Sequence, residues 1–289
     1  MTSTEHAADD PLVYLNGAMT PLSEAKIPVL DRGFIFGDGI YEVIPVYGRK
    51  PFRAEQHLAR LFRSLSKVGI ANPHDQPQWL QLIGQVSAAH PAEDQLLYLQ
   101  VTRGVAKRRH AFPQGVTPTV FIMSNAMAPV PPELRRSGVA CVSLEDRRWL
   151  HCDIKSVSLL GNVLAAQFAA EHEAVESIQF RDGFLTEGAS TNVWIVKDSK
   201  LAAPLRDNLI LEGIRYGLVE EMCAAKGIAF ESRPLARAEV FAADEVLLTS
   251  ASKEVLAVVR LDDQTIGNGV PGPIYEILYE SYQAAKKAL

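Results

Sequence analysis

A chain of 289 residues, 47% hydrophobic and 22% charged, can bury a large core in one or two domains and has the composition of a globular protein. A net charge of -5 with a pI near 5.8 gives no electrostatic footprint for nucleic acid or for an anionic membrane surface as partner. Cys141, Cys152 and Cys223 are widely spaced and form no CxxC pair, which fits a reducing cytosol better than a disulfide framework. The polar, acidic opening MTSTEHAADD reads as an unstructured tail rather than a signal or transit peptide. No run approaches bilayer length, so a cytoplasmic protein is expected.

In chain order, LVYLNGAMTPL predicts two short strands around an Asn16-Gly17 turn. Ile40 to Tyr47 is a β-type run with Tyr41, Val43 and Pro45 on one face. Leu58, Leu61, Phe62, Leu65 and Val68 fall at helical spacing and predict a helix over Phe52 to Val68. Pro77 opens a second helix through Trp79, Leu82, Ile83 and Val86. Gln95 to Arg103 and Thr119 to Ser124 read as strands flanking a loop, Gly104 to Pro118. The expectation is a small N-terminal α+β domain over residues 1–124.

Residues 125–133, NAMAPVPPE, read as a linker, because Pro129, Pro131 and Pro132 continue neither a ladder nor a helix. Residues 134–289 then form a larger α/β domain. Its strands are expected near Val139 to Ser143, Ser177 to Leu185, Asn192 to Val196, Ile228 to Glu231, Val246 to Thr249 and Val255 to Val259. Its helices are expected over Ser158 to Glu171, Gly213 to Ala225 and Pro273 to Ala288. There are no internal repeats. Ligands favour domain boundaries, so a small-molecule site is expected between the two halves.

Chemistry concentrates between Arg148 and Glu187. Lys155 follows a mixed apolar segment and precedes a helical pattern of Leu159, Leu160, Val163, Leu164 and Phe168; Glu187 lies between two β-type runs. A lysine amine can form a Schiff base with an aldehyde cofactor, and a carboxylate can keep a pyridine nitrogen protonated so that the ring accepts electrons. Taken alone, a lysine and a glutamate at this spacing are more often a solvated surface pair. No metal site is expected. His172-Glu173 lacks the second histidine of HExxH, and His151-Cys152-Asp153 has no ligand spacing. Neither GxGxxG nor a P-loop occurs, and GASTN is not a hydrolase elbow.

DIKSVSLLGNVLA together with LTEGASTNVW resembles the lysine and glutamate motifs of the fold-type IV pyridoxal-phosphate enzymes, over about Leu12 to Leu261. DRGFIFGDGIYEV, YLQVTRG, RRHAFP and RWLHCDIKS are similar to the bacterial D-amino-acid aminotransferases within that family. The resemblance implies a two-domain α/β (α+β) enzyme whose large domain is β-barrel-like. Its cofactor would be pyridoxal 5'-phosphate, and it would assemble as a homodimer. The reaction would move the amino group between D-amino acids (D-alanine, D-glutamate) and 2-oxo acids (2-oxoglutarate, pyruvate) by a ping-pong Schiff-base route.

Residue by residue, the resemblance implies Lys155 as the Schiff-base lysine and Glu187 as partner of the pyridine nitrogen. Arg60, Ile214, Arg215, Ser250 and Ala251 match phosphate-binding positions, and Leu211 matches a residue packed against the cofactor ring. Tyr41, Arg108 and His110 match a trap for the substrate carboxylate, the last two reaching in from the other subunit. Relatives commonly carry threonine at Arg215 and hydroxyl residues at Ala189 and Ala251, so the phosphate grip here is either looser or dependent on Arg215. The alternatives are a branched-chain L-amino-acid or (R)-amine transaminase, then aminodeoxychorismate lyase, then a cofactor-binding protein without turnover.

Overall fold

In the computed structural model, which describes residues 10–289, contacts divide the chain into two units. The first runs up to Ala128 and adds residues 154–158; the second comprises 129–153 and 159–289. The break at Ala128 falls inside the expected linker, but sequence order alone does not assign the Lys155 segment to the first unit. The unstructured tail expected at MTSTEHAADD falls at residues 1–9, outside those described, except for Asp10.

The first unit contains β1 (Leu12–Leu15), β2 (Ala18–Pro21), α1 (Arg32–Phe36), β3 (Gly39–Tyr47), β4 (Lys50–Pro51), α2 (Ala54–Lys67), α3 (Gln76–Ala89), β5 (Gln95–Thr102) and β6 (Thr119–Ala126). The strands form one antiparallel sheet in the order β2-β1-β6-β5-β3-β4. Helical spacing puts Leu58, Leu61 and Leu65 of α2 on one face, where they pack with Trp79, Ile83 and Val86 of α3 against Ile40, Ile44, Leu97, Leu99 and Ile122. Burying each such side chain contributes about 1.5–3 kcal/mol. Alternation along β3 leaves Tyr41 and Val43 half-buried on the other face, as expected. Asp75 starts α3 with a reciprocal cap: its side chain accepts from the Gln78 N–H, and the Gln78 side chain accepts from the Asp75 N–H.

The second unit contains α4 (Pro132–Ser137), β7 (Val139–Glu145), α5 (Leu160–Glu171), β8 (Glu176–Arg181), β9 (Phe184–Gly188), β10 (Asn192–Lys197), β11 (Lys200–Ala203) and α6 (Ile214–Lys226). It continues through β12 (Phe230–Ser232), α7 (Arg237–Phe241), β13 (Glu245–Ser250), β14 (Glu254–Leu261), β15 (Gln264–Thr265) and α8 (Pro273–Lys287). The sheet order is β12-β11-β10-β13-β14-β7-β8-β9, with β15 on β14, and its edge strand β9 curls back to approach β10. Ile178, Phe180, Val193, Ile195, Val246, Leu248, Leu256 and Val258 fill the curl.

Two sequence expectations change here. The run Ser177 to Leu185 is a hairpin rather than one strand, since Asp182 and Gly183 turn it with φ of 51° and 80°. The expected linker is also shorter, because β6 extends to Ala126 and α4 begins at Pro132, where the missing N–H costs nothing. On α5 the small residues Ala165 and Ala169 are buried. Leu160, Val163 and Leu164 of the same helix are 71%, 58% and 62% exposed.

Candidate active site

Lys155 sits on a short extension of the first unit's sheet. The Tyr41 N–H donates to the Lys155 carbonyl and the Val157 N–H donates to the Gly39 carbonyl, both at 3.0 Å, with Ile40 and Ser156 bridged between them. Residues 155–157 therefore run antiparallel to the start of β3, and Ile154 packs into the core beneath. The Lys155 amine lies 4.1 Å from the centroid of the Tyr41 ring, a cation–π approach. Tyr41 in turn stacks on Tyr98 at 5.7 Å, and the Tyr98 hydroxyl donates to Gln100 Oε1 at 2.7 Å. Burial, with the neighbouring Tyr41, pushes the Tyr98 phenol up to about 12.

Arg60, on α2, is held rigidly in the same unit. Its Nε and Nη2 donate to Glu42 Oε1 and Oε2 at 2.8 and 2.7 Å, a two-point clasp. His57 Nδ1 lies 2.8 Å from the same carboxylate. Glu42 is fully buried; burial alone would raise its carboxyl, but Arg60 and His57 reverse this and hold it well below the usual carboxylate range. Arg108 and His110 lie exposed in the loop after β5, and both approach the ring of Phe36, at 5.3 and 5.4 Å from its centroid.

In the second unit Glu187, at the end of β9, is 5% exposed and gathers three donors. Arg148 Nη1 donates to Oε1 at 2.6 Å, while the Leu211 N–H and Asn192 Nδ2 donate to Oε2 at 3.0 and 3.3 Å. Asn192 also donates to the Leu211 carbonyl at 2.8 Å, so Leu211 is tied to the glutamate through its backbone. Arg148 is clasped from behind by Asp146 at 3.0 and 2.9 Å, and Asp146 accepts from the Thr186 hydroxyl at 2.9 Å. Burial pushes the Glu187 carboxyl up to about 7 against the pull of Arg148 and the Leu211 N–H. Asp146 and Glu187 keep Arg148 ionised despite its burial.

Helix α6 starts at Ile214 with Gly213 as its N-cap and no side chain capping its first turn. Such an end presents N–H groups and a positive dipole to an anion. A Cβ at Gly213 would press on Asn192 Oδ1, so glycine lets this helix start lie close beside a partner of Glu187. The Arg215 guanidinium is buried and donates to the Tyr282 hydroxyl of α8 at 3.0 and 3.3 Å. Ser250 and Ala251 follow β13 in a turn closed by the Lys253 N–H donating to Ser250 Oγ at 3.0 Å. Ala189 lies in the turn after Glu187, its N–H donating to Glu176 Oε1 at 3.1 Å.

The first unit thus brings Tyr41 to Lys155 and gathers Arg108 and His110 on one ring. The second brings Leu211 to Glu187. Sequence reasoning assigned no role to Arg148, Asp146 and Asn192, nor to Arg32, Phe36, Asp38 and Arg103. All but Asp146 stand inside the motifs that carry the resemblance, but a motif string does not say which of its members hold the others in place.

Residues 39–261 match the family described as amino-transferase class IV, and the chain belongs to that family. Among its relatives, the D-alanine aminotransferase of Bacillus licheniformis is 38% identical over 262 residues, covering 91% of this chain and 92% of that protein. The D-alanine aminotransferase of Staphylococcus aureus (strain N315) is 37% identical over 271 residues, covering 94% and 96%. The fold is similar to the branched-chain amino acid aminotransferase of Escherichia coli, with a TM-score of 0.91 at 21% identity over 96% of this chain and 94% of that one. It is also similar to the branched-chain aminotransferase of the thermophilic archaeon Thermoproteus uzoniensis with norvaline, with a TM-score of 0.86 at 24% identity over 94% and 93%.

Proposed function

We propose that this aminotransferase uses pyridoxal 5'-phosphate to move the amino group between D-amino acids, of the D-alanine and D-glutamate class, and 2-oxo acids such as 2-oxoglutarate and pyruvate. The observation that carries the reading is the Lys155 amine, borne on a backbone pinned to β3 and set over the Tyr41 ring. A nucleophile fixed in this way loses little entropy on reaction.

The residues present fit the cofactor at both ends. Glu187 Oε1 uses one of its acceptor sites on Arg148, and a carboxyl poised near neutrality can share a proton with a pyridine nitrogen. The uncapped start of α6 suits a phosphate dianion. When bound, the cofactor supplies an aldehyde that accepts the amino group and a ring that withdraws the electron pair left at Cα.

The chain does the rest. Lys155 would anchor the cofactor through its side-chain amine and, once released, would carry the proton taken from the substrate Cα. Glu187, braced by Arg148, holds the proton on the ring nitrogen. Arg60, the N–H groups of Ile214 and Arg215, and the Ser250-Ala251 turn hold the phosphate. Because the Arg215 side chain is engaged with Tyr282, we assign its contribution to its backbone. Leu211 borders the ring. Tyr41, together with Arg108 and His110 reaching in from the other subunit, receives the substrate carboxylate by charge and hydrogen bonds.

The homodimer reading is supported by apolar surface on each unit: Leu160, Val163 and Leu164 on α5, and Val29 and Phe34 at 74% and 70% exposure in the first unit. Among the described residues no helix is long and apolar enough to cross a membrane; we place the protein in the cytoplasm. Stereospecific turnover tests the function. D-alanine with 2-oxoglutarate should yield pyruvate and D-glutamate, whereas a preference for L-leucine, or pyruvate release from aminodeoxychorismate, would overturn it.

A further inference from the structure

The loop that carries Arg108 and His110 is long, and both side chains are exposed, so something has to hold them in place. Helix α1 does so from both of its ends. At its first position Arg32, 3% exposed, donates from Nη1 to the Arg109 carbonyl at 2.5 Å and from Nη2 to the His110 carbonyl at 3.3 Å. Its Nε is fixed on Asp38 at 2.7 Å, and Asp38 is fixed in turn by Arg103 Nε and Nη2 at 2.8 and 3.0 Å. Arg103 also donates to the carbonyls of Val68 and Gly69 and lies 3.6 Å from the centroid of the Phe112 ring, so it grips the far side of the loop. The base of the loop is pinned by the Arg32 N–H donating to the Gly104 carbonyl at 2.9 Å.

At the last position of α1, the Phe36 ring lies 4.7 Å from the Arg32 guanidinium, 5.3 Å from that of Arg108 and 5.4 Å from the His110 ring. One aromatic ring thus lies against both members of the pair and against Arg32, which holds the loop backbone at Arg109 and His110. Residues two apart in an extended loop share a side, and the common ring gives them a common orientation.

We propose that Arg32 and Phe36, the two ends of α1, are positioning residues for substrate recognition: they preset the Arg108–His110 pair in the geometry that accepts a carboxylate. The inference rests on the proposed role of that pair. Long exposed side chains lose rotamer freedom when they bind a ligand, and presetting them removes part of that cost. Because the pair meets the carboxylate and not the reacting atoms, loss of the platform weakens binding in ground and transition states alike, raising KM with kcat unchanged.

Three variants test this in the holoenzyme. Phe36→Leu keeps an apolar side chain but removes the ring face, Phe36→Tyr restores the face, and Arg32→Lys keeps a cation for Asp38 but cannot reach both carbonyls. Phe36→Leu should raise KM for D-alanine roughly five- to twenty-fold, the inhibition constant of propionate rising in parallel. Its kcat should stay within about two-fold and its melting temperature should be unchanged. Phe36→Tyr should return KM to the parent value, and Arg32→Lys should move KM in the same direction as Phe36→Leu.

An unchanged KM in Phe36→Leu, beside a raised KM in Arg108→Ala, would overturn the platform and leave the trap standing. Unchanged values in both would remove the trap and the platform together. A parallel loss of kcat and melting temperature in Phe36→Leu would make α1 merely structural.

Discussion

Arg148 Nη1 lies 2.6 Å from Glu187 Oε1, and this contact sets the charge of the one buried carboxylate assigned to the cofactor nitrogen. Burial drives that carboxyl up to about 7; Arg148, itself clasped by Asp146, pulls against the rise.

Removing that pull should show in the pH profile. Arg148→Gln deletes the charge that lowers Glu187, so its carboxyl should titrate at least about one unit higher. Glu187 works as a carboxylate above its pKa, so activity is lost as pH falls through that value. The acidic limb of kcat should therefore move to higher pH in Arg148→Gln, and a limb at the parent position would show that Arg148 does not tune Glu187.

Glu187→Gln removes the negative charge that keeps the ring nitrogen protonated while leaving the phosphate contacts in place. Turnover should fall about 100- to 1,000-fold, with much smaller loss of cofactor occupancy measured by absorbance. Near-normal turnover would count against the role.

Arg108→Ala should raise KM for D-alanine about ten-fold or more, the range for a hydrogen bond to a charged group. A simple amine such as (R)-1-phenylethylamine lacks the carboxylate and should react as before. Steady-state kinetics with the two donors makes the comparison.

Glu42→Gln leaves Arg60 buried with its charge partner gone, which should cost about 3–5 kcal/mol of stability at neutral pH. The sign with pH follows from the depressed carboxyl. Glu42 titrates below its ordinary value of 4.5 when folded, so its stabilisation is present above that pH and is lost as pH falls below it. Thermal melting from neutral to acid pH should show the parent losing this increment while Glu42→Gln changes less.

The fold was legible where periodicity and packing agree. Leu58, Leu61 and Leu65 mark the buried face of α2 in the sequence, and they form it in the structure. On α5 the same spacing is present in Leu160, Val163 and Leu164, yet those residues are exposed and the helix meets its sheet through Ala165 and Ala169. Periodicity reports that a helix has an apolar stripe, not what covers it. Lys155 and Glu187 stood out by residue type and motif. The contacts that brace them did not: Arg148 meets Glu187 across 39 positions and Arg32 meets Arg109 across 77, separations that only the folded topology closes. The pairing of residues 155–157 with β3 is of the same kind.

Borohydride reduction of the cofactor-loaded protein, followed by peptide mapping, shows which lysine carries the cofactor. One phosphopyridoxyl-labelled peptide should appear, with its label at Lys155, and no labelling in Lys155→Ala. A label on any other lysine, or none on the loaded protein, would contradict the role of Lys155.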